Sequence, residues 1–308
     1  MAFNFGLVGA AGFVAPRHMK AIADTGNVLI AALDPHDSVG IIDTYFPDAA
    51  FFTEVERFDR FLEKRRHLGE GVQYLSICSP NYLHDAHVRL ALRVGADAIC
   101  EKPLVLSPWN LDQLAALEQE YGHRVYSVLQ LRLLPQLRAL KQRLGSGRAS
   151  VELTYITPRG RWHEVSWKGV PEKSGGIALN IGVHFFDALI WLYGLPQASR
   201  VFMSRPDKMS GVFELERARV SWFLSVDAAD LPQGKTAYRS LVSDGHEVEF
   251  SDGFPDLHTD VYRDILGGGG FSIEDVRPSI QLAHDIRMAT PVTPDGDAHR
   301  ALRQEPAK

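Results

Sequence analysis

The chain has 308 residues, 45% hydrophobic and 23% charged, with a formal net charge of −5. Such a length suits one large domain or two ordinary ones, and the composition suits a soluble globular core. The charge argues against a nucleic-acid or anionic-membrane surface, and no uninterrupted apolar run reaches the ~20 residues that span a bilayer.

The N-terminus, Met1-Ala2-Phe3-Asn4, has no basic stretch and runs straight into a strand, which predicts no signal peptide. Cys78 and Cys100 sit in apolar strand-like runs, which predicts buried thiols and a cytoplasmic protein rather than a disulfide framework. Phe3 to Val8 is the first strand. It meets a turn of small residues, Gly9-Ala10-Ala11-Gly12-Phe13-Val14, and then a helical pattern through His18, Met19 and Ile22. Val28 to Leu33 is the next strand, ending at Asp34. Glycines permit a tight turn and let backbone N–H groups approach a pyrophosphate at a helix N-terminus. A carboxylate at the end of the second strand grips a ribose diol and repels a 2′-phosphate, which favours NAD over NADP. The glycine pattern is incomplete, with Ala11 and Val14 at its second and third places, so a plain βαβ crossover is the competing reading.

Asp34-Pro35-His36-Asp37-Ser38 is a polar turn suited to wrapping a ribose. Ala50 to Thr53 and Tyr74 to Cys78 are further strands, and Ser79-Pro80-Asn81 turns the chain into a helix through His84 and Val88. The strand Ala98 to Cys100 ends in Glu101-Lys102-Pro103. A buried strand that stops by presenting a lysine suggests a site at the carboxyl edge of a sheet, where open α/β sheets bind ligands; a lysine merely reaching solvent is the alternative. Ser107 with Pro108 predicts a helix start, and Val125 to Gln130 reads as one more strand. The alternation predicts a doubly wound parallel sheet over residues 1–123.

The pattern changes near residue 124. After a helix around 135–144 and a polar break at 145–148, the chain becomes strand-rich at 151–156, 201–203, 217–226, 238–242 and 247–250, with the alternation of an antiparallel sheet. Residues 124–308 are therefore expected to form a second, α+β domain. Helices are expected at 257–266 and 274–289, with a loosely ordered tail after Pro291. Within this half, Gly175-Gly176 precede a helical stretch that carries Asn180 and His184, i and i+4 on one face, with Asp187 near. A buried, satisfied histidine is the plainer alternative. Upstream, Arg159, Arg161 and Lys168 lie among Trp162 and Trp167, a set able to bind an anionic, ring-bearing ligand; a solvated basic hairpin competes with that reading. No His/Cys cluster has metal-ligand spacing, so no metal is expected.

Gly9-Ala-Ala-Gly12 with His18, Ser79-Pro-Asn-Tyr-Leu-His84, Glu101-Lys-Pro103 and Gly175-Gly176 with Asn180-x-x-x-His184 together resemble the Gfo/Idh/MocA oxidoreductases, over roughly residues 3–290. Longer strings at 9–18, 37–43, 76–84 and 180–187 are most similar to the members that dehydrogenate C3 of UDP-N-acetylglucosaminuronic acid in making diacetamido-mannuronic acid for bacterial lipopolysaccharide. The resemblance implies a Rossmann domain joined to a domain with an open, mostly antiparallel sheet, and NAD as cofactor. It implies that Gly12, Phe13 and Val14 meet the pyrophosphate, that Asp34 and Ser38 hold the adenosine ribose, and that Ser79, Asn81, His84, Glu101, Lys102, Gln130, Trp167 and Lys168 complete the cofactor site. It implies that Lys102 and His184 are catalytic, and that these two with Arg159, Arg161 and Asn180 contact substrate. Dimers or tetramers, and cofactor recycling by 2-oxoglutarate, are implied as well. The roles suit the chemistry, because removing hydride from a secondary alcohol requires the hydroxyl proton to leave, which suits a histidine, while a nearby lysine stabilises the developing oxyanion. Many relatives carry aspartate where this chain has Asn180, so which of Lys102 and His184 takes the proton stays open. Two alternatives remain: a dehydrogenase of another sugar or polyol on the same scaffold, and a non-catalytic NAD- or sugar-sensing regulator.

Overall fold

The apolar runs of the N-terminal half form a parallel sheet in the computed structural model, which describes residues 2–145, 147–250 and 257–303. Ser146 of the expected break and the last tail residues, 304–308, lie outside the described residues. The chain divides into two units, Met1–Leu133 with Asp256–Arg277, and Leu134–Pro255 with Pro278–Lys308.

In the first unit, β1 (Asn4–Val8), β2 (Val28–Leu33), β3 (Ala50–Phe52), β4 (Tyr74–Ile77), β5 (Asp97–Cys100) and β6 (Val125–Ser127) lie in the order β3-β2-β1-β4-β5-β6, each pair parallel. The strand order reverses direction between β1 and β4, the place where doubly wound sheets open a crevice for ligands. Phe5, Leu7, Leu75, Ile77, Ala98, Ile99 and Cys100 are wholly buried. A sheet covered on both faces by helices demands this, and it explains the unbroken apolar runs. Full burial of each large side chain contributes about 1.5–3 kcal/mol.

Three expectations change here. The boundary at 123/124 falls inside this unit, because β6 pairs with β5 and the helix His258–Leu266 returns to pack Val261, Tyr262 and Ile265 against Phe5 and its neighbours. The expected strand through Gln130 stops at Ser127, and Gln130–Leu133 is a 3-10 turn. Ser107 also does not cap by its side chain: the helix Trp109–Tyr121 begins after Pro108 without a side-chain cap.

In the second unit, β7 (Ala149–Ile156), β8 (Pro196–Ser204), β9 (Lys208–Leu215), β10 (Ala218–Ser225), β11 (Tyr238–Ser243) and β12 (His246–Glu249) lie in the order β12-β11-β7-β10-β9-β8. β7 and β10 are parallel and the other pairs antiparallel. Between β7 and β8 the chain runs through the helical stretch Pro171–Tyr193. By length and mean hydropathy, 1.4, this stretch is apolar enough to cross a membrane, but 78% of its apolar window is buried within the protein, as in a core helix. Phe186 meets Phe213 at 5.3 Å and Trp222 at 5.7 Å, both edge-on. Gly182 permits that contact, since a Cβ there would lie 2.8 Å from Phe186 and 2.9 Å from Leu224.

The tail is not loose. The Val292 N–H donates to the Val201 carbonyl at 2.8 Å, Asp297 pairs with both Arg200 and Arg219 at 2.8 Å, and Asp295 pairs with Arg200. Ala298 and His299 are 1% exposed, and the His299 ring stacks on Phe223. An apolar sheet face at Phe202, Val212 and Phe223 needs a cover, and this segment supplies it.

Candidate active site

The residues expected to bind cofactor in the first unit lie at the carboxyl ends of its parallel strands: 12–14 after β1, Asp34 after β2, Ser79 and Asn81 after β4, Glu101 and Lys102 after β5, and Gln130 after β6. The turn after β1 requires glycine at two places. Gly9 has φ +89°, and a Cβ there would lie 2.6 Å from the Cys78 carbonyl carbon and the Ser79 nitrogen. A Cβ on Gly12 would lie 2.9 Å from the Gly9 oxygen. The Gly12 N–H is already spent on that oxygen at 2.9 Å, so Gly12 provides space rather than a donor. Among the described residues the N–H groups of Phe13 and Val14 have no acceptor, and the helix Ala15–Asp24 that follows has no side-chain cap. Uncapped amides at a helix start are anion donors. The Phe13 side chain itself points outward, 84% exposed, with Arg17 over its ring at 5.8 Å.

Asp34 is buried and organises the same turn. Its Oδ2 accepts from the Ala11 N–H and its Oδ1 from the His36 N–H, each at 2.9 Å. Each carboxylate oxygen retains a lone pair for a hydroxyl. Ser38 lies exposed in the polar turn beyond. At the other end of the edge, Gln130 is buried and its Oε1 has no hydrogen-bond partner. An orphaned buried acceptor, a glycine cradle and two open amides fit a bound dinucleotide.

Glu101, expected in the cofactor site, is largely completed by protein groups at the end of β5. It is 9% exposed, and its Oε1 accepts from His18 Nε2 at 3.0 Å and from His258 Nε2 at 2.9 Å. The chain of contacts continues from His18 Nδ1 to the Tyr262 hydroxyl at 2.8 Å and from that hydroxyl to Ser76 Oγ at 2.6 Å. Burial pushes the carboxyl pKa up, but the two histidine hydrogen bonds and charges outweigh it, and the group is held well below the ordinary carboxylate range. Only Oε2 remains, and it lies 3.3 Å from the Lys102 amide nitrogen, which donates to it. The network thus anchors the strand end that carries Lys102, whose peptide with Pro103 is cis. Three ligand-type atoms, on His18, Glu101 and His258, lie within 4.8 Å of one another, a juxtaposition that linear spacing does not disclose. Direct hydrogen bonds between them account for the arrangement.

His84 has a different task from the one expected. It is wholly buried, and its ring nitrogens face the Pro103 carbonyl at 2.7 Å and the Ser79 carbonyl at 2.8 Å. It ties the end of β4 to the loop after β5. Burial lowers its pKa and outweighs the two carbonyls, which act the other way. The Ser79 hydroxyl meets His87 Nδ1 at 2.8 Å, and burial lowers the His87 pKa to about 4, so that ring is neutral near pH 7. Asn81 is buried beside this turn.

In the second unit, Asn180 lies in a turn of π-helix, Ala178–Gly182, that runs into the α-helix Val183–Tyr193 bearing His184. A π-turn widens the helix locally and recurs at functional sites. Both side chains are half-buried, while Asp187 is 1% exposed and belongs to the core. In the segment before, Arg159 and Arg161 are exposed, and among the described residues neither forms an ion pair. Lys168 Nζ lies 4.5 Å from the Trp167 ring centre and 5.4 Å from that of Trp162. Sequence reasoning missed His163, His87 and the partners of Glu101. His258 and Tyr262, at i and i+4 on one helix, were the only local signal.

The profile of the Gfo/Idh/MocA oxidoreductases matches residues 3–129 as the NAD-binding Rossmann fold and residues 149–235 as the C-terminal alpha/beta domain. The chain belongs to this family, and its first unit is an NAD-binding Rossmann domain. It is similar to the WlbA (WbpB) dehydrogenase of Thermus thermophilus. A structure of that enzyme with NAD and alpha-ketoglutarate is 50% identical, with TM-score 0.95, covering 98% of this chain and 100% of the other. Its complex with NAD and UDP-GlcNAcA gives 50% identity and TM-score 0.94, covering 97% and 99%. A curated relative, the 2,7-anhydro-N-acetylneuraminate hydratase of Mediterraneibacter gnavus, is 27% identical over 62% of this chain and 49% of its own length. The match thus spans about half the length of that curated relative.

Proposed function

We propose that this protein oxidises the C3 hydroxyl of UDP-GlcNAcA to the 3-keto sugar with NAD, a step toward UDP-2,3-diacetamido-2,3-dideoxy-mannuronic acid for lipopolysaccharide. The observation that carries this reading is the near full-length likeness, at 50% identity, to an enzyme solved with NAD and UDP-GlcNAcA.

Phe13 and Val14 would hold the pyrophosphate by their amides, Asp34 and Ser38 the adenosine ribose, and Ser79, Asn81 and Gln130 the nicotinamide side. Bound NAD supplies the hydride acceptor. His184 takes the proton of the sugar hydroxyl, a task suited to an imidazole near neutral pH. Lys102 orients that hydroxyl and stabilises the charge developing on its oxygen. Asn180 orients the sugar or the imidazole by hydrogen bonding. Arg159, Arg161 and Lys168 offer cations to a ligand that carries a diphosphate and a carboxylate, and Trp167 and Lys168 border the cofactor. The second unit serves substrate binding and assembly into a homodimer or homotetramer, in the cytoplasm. Reduced cofactor is returned to NAD by 2-oxoglutarate, the reading suggested by alpha-ketoglutarate in the Thermus thermophilus complex.

The test compares UDP-GlcNAcA, the same sugar acid without UDP, and myo-inositol as substrates of the purified protein, with and without 2-oxoglutarate. Turnover confined to UDP-GlcNAcA is expected. Equal turnover of myo-inositol would move the protein to a polyol dehydrogenase.

A further inference from the structure

His163 is not needed by the functional reading above, yet its surroundings are unusual. It lies in the short helix Arg161–Val165, 9% exposed, and its Nε2 is buried with no hydrogen-bond partner. The backbone that carries the ring is held in place. Its backbone N–H donates to the Gly160 carbonyl at 2.9 Å, its carbonyl accepts from Ser166 Oγ at 3.0 Å, and Trp162 meets the imidazole edge-on at 5.8 Å. An orphaned buried polar atom is costly unless something completes it.

The charges around it are of one dominant sign. Burial lowers the His163 pKa first, Arg159 and Lys168 lower it further, and Glu164 alone opposes them. Free protein near pH 7 therefore carries a neutral imidazole beside two cations. Trp162 stands 54% exposed next to it, an open aromatic face beside the basic groups.

We propose that His163 is a ligand-binding residue, whose buried Nε2 donates a hydrogen bond to an anionic oxygen of the bound nucleotide sugar held by Arg159 and Lys168. The proposal rests on the reading that residues 159–168 face that ligand. An arriving carboxylate or phosphate oxygen reverses the local balance, because it adds the negative charge that the imidazolium lacks. The ring then takes up a proton as the ligand binds, and Nε2 gains its partner. The histidine is neutral when free and protonated when bound, so affinity rises as pH falls between the bound and free pKa values. Carboxylate and phosphate are distinguished by the ligand, since UDP-GlcNAcA carries both and UDP-N-acetylglucosamine only the diphosphate.

The test is calorimetric binding of UDP-GlcNAcA, UDP-N-acetylglucosamine and 2-oxoglutarate to the full-length NADH-loaded protein, from pH 6 to 8 and in buffers of different ionisation heat. His163→Gln and Arg159→Ala are compared with the unmodified chain. For a carboxylate partner, His163→Gln weakens UDP-GlcNAcA by about 10- to 100-fold, spares UDP-N-acetylglucosamine and abolishes proton uptake. For a phosphate partner, both nucleotide sugars weaken alike. If only 2-oxoglutarate weakens, the nucleotide-sugar assignment is overturned. Unchanged affinity and pH slope for His163→Gln would overturn the proposal, as would weaker binding with an unchanged pH slope, the mark of a structural support. Should Arg159→Ala also leave UDP-GlcNAcA binding intact, the reading of the whole segment as substrate-facing fails with it; a loss in Arg159→Ala alone leaves that reading standing.

Discussion

The carboxyl edge of the parallel sheet and the segment 159–168 both gather charge, but in opposite ways. At the sheet edge the polar groups are buried and mostly completed by the protein: Glu101 by His18 and His258, Asp34 by two backbone amides, Ser79 by His87. In segment 159–168 the arginines are exposed, and a buried imidazole nitrogen lacks a partner. The first region is assembled before any ligand arrives, and its few open atoms (the amides of Phe13 and Val14, and Gln130 Oε1) define where one fits. The second leaves its arginines exposed to solvent. Pre-organisation of this kind stores binding geometry in the fold, whereas an open cationic cluster stores it in the ligand's charge.

The contrast breaks most visibly at the reacting groups. His184→Asn and Lys102→Ala should each lower turnover by about 10²- to 10⁴-fold, the former with unchanged NAD binding; near wild-type turnover in His184→Asn would remove it as the base, and the shift in the pH–rate profile tells which group titrates. Gly9→Ala should follow, costing about 2–5 kcal/mol, because the left-handed backbone and the approach to Cys78 both reject a methyl group. Thermal unfolding measures it, and a loss under 1 kcal/mol would mean the turn yields. Acid comes next. A histidine held at about 4 in the fold costs stability once the unfolded chain begins to protonate near 6.5, so lowering the pH from 7 to 5 should remove on the order of 2 kcal/mol through His87. His87→Asn should flatten that part of the stability curve. Glu101 acts only at lower pH: a carboxyl held below its ordinary value contributes fully above that value and loses its contribution as pH falls beneath it. Smallest is Arg159→Ala, expected to raise KM for the nucleotide sugar by about 10-fold and leave KM for NAD unmoved, since an exposed cation contributes about 1–1.5 kcal/mol to an anion. Equal effects on both would end the distinction between the two regions.

Local chemistry made much of this readable in the sequence. Gly9, Gly12 and Asp34 fall within one βαβ unit, and strand-end positions such as Ser79 and Lys102 follow from where each apolar run stops. Contacts of long range left no such trace. His18 meets Glu101 across 83 residues, His258 meets it across 157, and Tyr262 meets Ser76 across 186. Only the fold discloses that Glu101 is bonded by His18 and His258. β9 is hard to read in the sequence because Ser210 and Gly211 interrupt its apolar pattern; both are needed there, Ser210 to bond the Trp222 carbonyl at 2.8 Å and Gly211 to admit the Trp222 ring. The tail looked loose because its apolar residues are few, yet Ala298 and His299 are enough to seat it on the sheet.

The central claim is that this fold carries out redox chemistry on a nucleotide-sugar acid. Its most direct test is a mass spectrum of UDP-GlcNAcA after incubation with the purified protein, NAD and 2-oxoglutarate. The account predicts a nucleotide sugar lighter by two hydrogens, formed together with reduced 2-oxoglutarate. Recovery of UDP-GlcNAcA unchanged, with NAD and 2-oxoglutarate both supplied, would contradict it.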